Sequence, residues 1–181
     1  MAVLSTIRNF FLPRIYREPE IIVPAPLCEY DIRPLTIADL NEVLRLNIRC
    51  FRDGDNYTKY TFDYLLNDPR TISYRAVTDS GEMVGFAFMT ETENGAGHLT
   101  TLGIAPEHRR RGLARTLLSR IEKAAKDREL TTVILEVRAG NMAAKELYIR
   151  EGYNVMQRIR KYYNNGEDCF LMMKSVDSYY Q

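Results

Sequence analysis

The chain has 181 residues, of which 45% are hydrophobic and 27% are charged, and its formal net charge is +1. This length and composition predict one folded domain with a substantial core, and no apolar run reaches the roughly 20 residues of a membrane-spanning helix. The near-zero charge disfavours a nucleic-acid-binding protein, because contact with a phosphate backbone relies on a broad basic surface.

Residues 1–26 are predicted to form an arm that precedes a folded domain at 27–181. Four prolines in the arm prevent a long helix or a central strand. Ile7 and the apolar run 10–12 leave two interpretations open, a partly ordered tail or an arm that docks onto a partner or a second subunit. Arg8 interrupts an apolar stretch that is already short, so no signal peptide is predicted.

Hydrophobic periodicity and turn signals divide the domain into elements in the order β-α-α-β-β-β-α-β-α-β-β. The expected helices begin at Thr36, Tyr57, Gly112 and Asn141. The expected strands are 28–35, 73–79, 82–90, 98–104, 131–138, 153–163 and 168–175. The third of the four helices connects strands 98–104 and 131–138, and these two strands should therefore be parallel neighbours.

The segment PEHRRRGLARTLL, residues 106–118, follows strand 98–104 and leads into the helix that begins near Gly112. The unpaired N–H groups and the dipole at a helix start attract anions, phosphates especially. Gly112 and the small Ala114 let a phosphate approach the backbone, and arginines 109–111 add positive charge. The segment therefore predicts a pyrophosphate site, although it matches neither the Walker motif nor G-x-G-x-x-G. The alternative is a solvated basic loop before an ordinary helix.

Arg109-x-x-Gly112-x-Ala114 resembles the coenzyme A signature of GNAT-type N-acetyltransferases, and the order of elements over about residues 28–175 is similar to that fold. The stretch LEVRAGNMAAKELYIREGY resembles RimI-type N-terminal acetyltransferases of ribosomal proteins. NYTKYTF, GHLTTLGIAPEHRRRGLA and KYYNNGEDCFLM resemble the catalytic subunit of NatA N-terminal acetyltransferases and its archaeal relatives.

The resemblance implies an α/β (α+β) GNAT fold, with a mixed sheet of about seven strands and about four helices. Its parallel strands 98–104 and 131–138 would splay apart and hold the pantetheine arm of acetyl-CoA, the cosubstrate, with no metal. The implied cofactor-binding residues are Leu102, Gly103, Ile104, Arg109, Arg110, Arg111, Gly112, Leu113, Ala114, Arg115, Asn141 and Tyr148.

Three side chains are candidates for the chemistry. Glu136 interrupts an apolar strand, and desolvation would raise its pKa toward the range of a general base. An ion pair between Glu136 and Arg138 is the structural alternative. His98 could hold the same water or relay a proton, or be merely structural. By the resemblance Tyr148 would protonate the leaving thiolate, and core packing is its alternative role.

The acceptor is expected to be an α-amino group, whose pKa of about 7.7–8.0 lies well below the 10.4 of lysine, so a modest base suffices. The resemblance implies direct attack in a ternary complex. It also implies that the peptide entrance is lined by Asp55, Tyr57, Arg138, Tyr162 and Tyr163. Asp55 stands where NatA-like relatives have glutamate, which leaves the preferred first residue open.

Together these features predict an acetyl-CoA-dependent N-acetyltransferase that acts on protein N-termini, ribosomal proteins included, with no membrane partner and an undetermined oligomeric state. One alternative is a GNAT enzyme for a small amine or a lysine side chain. Another is a non-catalytic ribosome- or nucleic-acid-binding module that uses residues 108–111. The widely spaced Cys28, Cys50 and Cys169 predict free thiols in the cytoplasm. Cys169 lies far in sequence from a base, so no thiol intermediate is expected.

Overall fold

The computed structural model describes residues 21–51 and 56–177. The predicted site residue Asp55 and residues 1–20 of the predicted arm lie outside these ranges. The boundary between arm and domain therefore stays a prediction.

A mixed sheet and four α-helices make up the described part of the chain, as the sequence predicts. The strands are β1 (Tyr30–Pro34), β2 (Thr71–Thr78), β3 (Met83–Glu91), β4 (Ala96–Ile104), β5 (Thr132–Arg138), β6 (Asn154–Ile159) and β7 (Cys169–Ser175). The α-helices are α1 (Leu40–Cys50), α2 (Lys59–Asn67), α3 (Leu113–Asp127) and α4 (Met142–Arg150). The strands form one seven-stranded sheet in the order β1-β2-β3-β4-β5-β7-β6. None of the helices in these ranges has the length and apolar character needed to cross a bilayer.

Helix α3 covers the first half of the sheet. Its apolar stripe is fully buried against β2 and β3. Each buried leucine of such a stripe contributes about 1.5–3 kcal/mol. The stripe consists of Leu113, Leu117, Leu118, Ile121 and Ala125. This packing fixes the direction of α3, so that its N-terminus lies at the end of β4.

The parallel strands β4 and β5 separate along most of their length. Only three pairs join them, which involve Ala96, Gly97 and His98 of β4. A register shift between β3 and β4 leaves Thr100 as an extra residue, a bulge that bends β4 away from its neighbour. Strand β5 instead remains paired with β7 from Thr132 to Arg138. The β4 segment that follows His98 therefore has an edge that β5 does not pair, and the predicted splay is confirmed.

The sixth strand is shorter than the predicted 153–163. It ends at Ile159, because Lys161 adopts a positive φ of 52° and donates its N–H to the Asp168 carboxylate at 2.9 Å. The expectation that Tyr162 and Tyr163 end a hairpin strand is therefore wrong. Both tyrosines lie in the loop between β6 and β7, which frees them from the alternating pattern of a strand.

Candidate active site

A cleft of about 560 Å³ lies between the end of β4, the start of α3 and helix α4. Every predicted cofactor-binding residue except Arg111 lines it. From the predicted set, the lining residues are Leu102, Gly103, Ile104, Arg109, Arg110, Gly112, Leu113, Ala114, Arg115, Asn141 and Tyr148. Residues far apart in the sequence thus meet in one cleft, with an unpaired strand edge on one side and a helix start at its end.

The start of α3 has the geometry of an anion site. Gly112 is its N-cap with φ of 81°, and no atom lies within 4 Å of where a Cβ would stand. The first helical bond runs from the Thr116 N–H to the Gly112 carbonyl at 3.0 Å, so the N–H groups of residues 113–115 have no intrahelical acceptor. These donors and the helix dipole favour a bound phosphate.

The basic residues before α3 have different roles, which the sequence did not distinguish. Arg109 donates from Nε to the Ile104 carbonyl at 3.1 Å, while Arg111 turns away from the cleft toward residues 25–30. His108 is only 4% exposed, and burial lowers its pKa, so it adds no cation to the loop. His108 and Arg111 therefore add no free cation to this loop, and Arg109 and Arg110 are the exposed basic residues of segment 108–111.

Glu136 of β5 and His98 of β4 form a pair where the two strands begin to separate. Nε2 of His98 lies 2.7 Å from Oε2 of Glu136. This hydrogen bond outweighs desolvation and holds the pKa of Glu136 below its usual range. The expectation that burial raises the pKa of this carboxyl group is therefore wrong. The alternative pairing with Arg138 is also not what forms, because Nη1 of Arg138 lies 2.6 Å from Oε2 of Glu167.

Tyr148 is buried on α4 with its ring edge-on to Tyr153 at 5.6 Å. Burial raises the pKa of Tyr148 to about 12, which keeps the hydroxyl protonated at neutral pH. Within residues 21–51 and 56–177 this hydroxyl makes no hydrogen bond, although it belongs to the cleft. Asn141 caps the same helix by accepting the Ala144 N–H at 3.1 Å, as its position predicts.

The other predicted site residues in the described ranges lie outside the cleft that Tyr148 lines. Tyr162 packs edge-on against Tyr163 with 5.1 Å between the ring centres, and desolvation, with a contribution from the Glu136 charge, raises the pKa of Tyr162. The Arg138 guanidinium lies 3.7 Å from the centre of the Tyr163 ring. Tyr57 donates its hydroxyl to the Thr100 carbonyl at 3.1 Å, at the bulge itself.

Some residues of this region were missed or misjudged from the sequence. Glu167 fixes Arg138 and accepts the Gly140 N–H at 2.8 Å, but its position after Asn-Asn-Gly indicated only a turn. Cys169 is distant in sequence from a base, but it lies opposite Arg138 in the sheet. The Glu136 charge contributes to raising the pKa of its thiol. It is fully buried, and burial is the main cause of its raised pKa, so its thiol is not activated.

Comparison with known proteins gives results consistent with this geometry. The sequence model of the Acetyltransferase (GNAT) family matches residues 40–153. The catalytic subunit NAA10 of the N-terminal acetyltransferase A complex from Arabidopsis thaliana is 35% identical over 151 residues, which cover 80% of this chain and 77% of the relative. An N-alpha-acetyltransferase from Sulfurisphaera tokodaii is 31% identical over 157 residues, which cover 80% of this chain and 92% of the relative. The crystal structure of the ribosomal-protein-S18-alanine N-acetyltransferase from Escherichia coli superposes with a TM-score of 0.75 at 27% identity. The superposition covers 82% of this chain and 95% of the solved chain.

Proposed function

This chain belongs to the GNAT acetyltransferase family, and we propose that it transfers an acetyl group from acetyl-CoA to the α-amino group of protein N-termini. The observation that carries this proposal is the 35% identity with the plant NAA10 protein across four-fifths of the chain. The alternative of a non-catalytic binding module is set aside, because the family is one of acetyltransferases.

The residues of the cleft fit acetyl-CoA as a substrate. The unpaired edge of β4 at Leu102–Ile104 offers backbone groups that a pantetheine amide can pair with, as a neighbouring strand would. The N–H groups at the start of α3 suit the diphosphate, and the open space beside Gly112 lets it approach. The Tyr148 hydroxyl supplies a donor within the same cleft.

The pair of Glu136 and His98 is assigned to the removal of the proton from the attacking amine, directly or through one water. The 2.7 Å hydrogen bond joins the two side chains into one unit, which can take up the proton that the ammonium of the tetrahedral intermediate releases. A carboxylate with a lowered pKa is a weak base, and it is adequate here because an α-amino group has a pKa of about 7.7–8.0. The attack needs no enzyme nucleophile, which agrees with the buried state of Cys169.

Tyr148 is assigned to the leaving thiolate. The raised pKa of about 12 lies above the roughly 8.5 of a thiol, so the tyrosine keeps its proton and acts as a hydrogen-bond donor. This role is narrower than full proton transfer. It stabilises the charge that appears on sulfur as the carbon–sulfur bond breaks.

The acceptor peptide is proposed to enter past Tyr57, Tyr162, Tyr163 and Arg138, none of which lines the cleft. Their hydroxyls and guanidinium can bond the peptide backbone near its first residue. Asp55 stays a prediction for the same entrance. Ribosomal proteins are proposed among the acceptors, and the three free thiols favour a cytoplasmic location.

A panel of matched peptides tests the acceptor class. Each sequence is supplied with a free N-terminus, with an N-terminus blocked in advance, and with or without an internal lysine. We expect mass spectrometry to show one added acetyl group on every free peptide and none on the blocked ones, because the modest base suits only the α-amine. Acetylation of the lysine-bearing peptides alone, whether their N-terminus is free or blocked, would establish the lysine alternative instead.

Replacing Gly112 with valine tests the diphosphate site. A β-branched residue at φ of 81° costs about 1–3 kcal/mol, which distorts the start of α3. We expect the dissociation constant of CoA, measured by calorimetry, to rise about tenfold. Gly81→Val is the matched control, since Gly81 has φ of 86° and equally open space but lies in the turn between β2 and β3. Equal CoA affinities of the two variants would remove Gly112 from the binding site.

A further inference from the structure

Residues 25–30, which we call the strap, cross the loop between β4 and α3. The strap has no helix or strand before Tyr30, where β1 begins, and half of its side chains are exposed. The Tyr30 ring packs edge-on against the His108 ring, with 5.8 Å between the ring centres. The other contacts of the strap with residues 107–111 are specific hydrogen bonds.

Arg111 is the centre of these contacts. Its Nη1 donates to the Pro26 carbonyl at 2.8 Å and to the Tyr30 hydroxyl at 2.7 Å, and its Nη2 donates to the Ala25 carbonyl. In return, the Ala25 N–H donates to the Glu107 carbonyl at 3.0 Å. The strap and the loop are therefore joined in both directions.

Tyr30 continues this network to the wall of the cleft. Arg111 can only donate, so the Tyr30 oxygen accepts from it, and the same hydroxyl forms a hydrogen bond with Nδ1 of His108 at 2.9 Å. His108 itself lines the cleft. The hydrogen bonds thus connect Arg111, through Tyr30 of the strap, to a residue in the wall of the cleft.

The loop that is held in this way has an unfavourable backbone. Arg110 adopts a positive φ of 64° and Gly112 one of 81°, so two of three successive residues are left-handed. A non-glycine residue in this region persists only where its surroundings impose it. Arg111 lies between the two, and its side chain is anchored outside the cleft.

We propose that Arg111 and Tyr30 are positioning residues for acetyl-CoA, which hold the diphosphate-binding loop in its left-handed form through the strap. Neither residue needs to touch the cofactor. The inference rests on the proposed function, because it assumes that the start of α3 binds the diphosphate.

Calorimetry with CoA on the full chain tests this proposal, with the variants Tyr30→Phe, Arg111→Gln and their combination. Loss of a hydrogen bond of this kind predicts a rise of about fivefold in the dissociation constant of CoA for Tyr30→Phe. The double variant should be no weaker than the weaker single variant, because both residues act through one network. The KM for acetyl-CoA should rise equally, while kcat and the KM for the peptide stay unchanged.

Tyr64→Phe is the matched control. Tyr64 likewise accepts from an arginine, Arg70 at 3.2 Å, and donates to Asp68 at 3.0 Å, but it lies on α2 and does not line the cleft. We expect its CoA affinity to equal that of the wild type. A merely structural role for Tyr30 would lower the melting temperature and leave the CoA affinity unchanged.

An unchanged CoA affinity of Tyr30→Phe overturns the inference. This holds even where Arg111→Gln binds CoA more weakly, because Arg111 would then act on the phosphate directly. Because Tyr30→Phe removes one oxygen and keeps the ring, it decides the question even if Arg111→Gln fails to fold. Failure of the wild-type chain to bind CoA would instead refute the proposed function, and the two failures are thereby distinguished.

Discussion

Replacing Glu136 with glutamine lowers turnover about 100-fold and leaves the affinity for acetyl-CoA unchanged, if the pair with His98 accepts the amine proton. Glutamine keeps the size of the side chain and can still bond Nε2 of His98, but it cannot share or take up a proton. Glu136 lies outside the cleft where the cofactor residues gather, so cofactor binding should not change.

The measurement is steady-state kinetics with a free N-terminal peptide, together with calorimetry for CoA. Asp68→Asn is the control, because a basic partner also lowers the pKa of Asp68, in this case Arg70, but Asp68 lies between α2 and β2, away from the site. Turnover of Glu136→Gln equal to that of Asp68→Asn would exclude Glu136 from the mechanism. His98→Gln should act in the same direction, and its combination with Glu136→Gln should add little, because the two side chains act as one unit.

Replacing Tyr148 with phenylalanine is expected to lower kcat roughly 10- to 100-fold with both KM values unchanged. The ring and its contact with Tyr153 remain, so the loss reports the hydroxyl alone. An interaction that forms only as the thiolate leaves lowers kcat and kcat/KM equally. A rise in the KM for acetyl-CoA without a change in kcat would show that the hydroxyl binds the substrate in its ground state.

Tyr153→Phe is the matched control for Tyr148→Phe. The Tyr153 ring packs against the Tyr148 ring, but the Tyr153 hydroxyl lies beside Glu122, and Tyr153 does not line the cleft. We expect wild-type turnover from this variant. Equal losses in the two variants would indicate that the hydroxyls support the packing of α4 and would remove Tyr148 from the chemistry.

The proposed peptide entrance combines aromatic side chains with a guanidinium that is fixed in place. Arg138 is held by Glu167 and lies over the Tyr163 ring, so its charge has a defined position. The loop between β6 and β7 also carries Tyr162, whose ring packs edge-on against that of Tyr163.

Much of the fold was determined by the sequence alone, because its signals are local. The apolar stripe from Leu113 to Ala125 defines α3, and Gly112 marks its start, where the positive φ requires a glycine. The alternating burial of β5 follows from the alternation of its side chains, and it leaves Glu136 on the less buried face. The unbonded N–H groups at a helix start belong to any helix, so the anion site could be predicted without the structure.

Only the tertiary structure decided how these pieces act on one another. His98 and Glu136 are 38 residues apart, and their distance of 2.7 Å depends on the register of two parallel strands and on the bulge at Thr100. That contact reverses the expected direction of the Glu136 pKa, and the strap likewise turns Arg111 away from the cleft. Helices and strands can be predicted from the sequence because their signals lie within a few neighbouring residues. The pKa of a side chain and the direction in which it points depend instead on contacts between segments that are distant in the sequence, and only the packing of the chain brings these together.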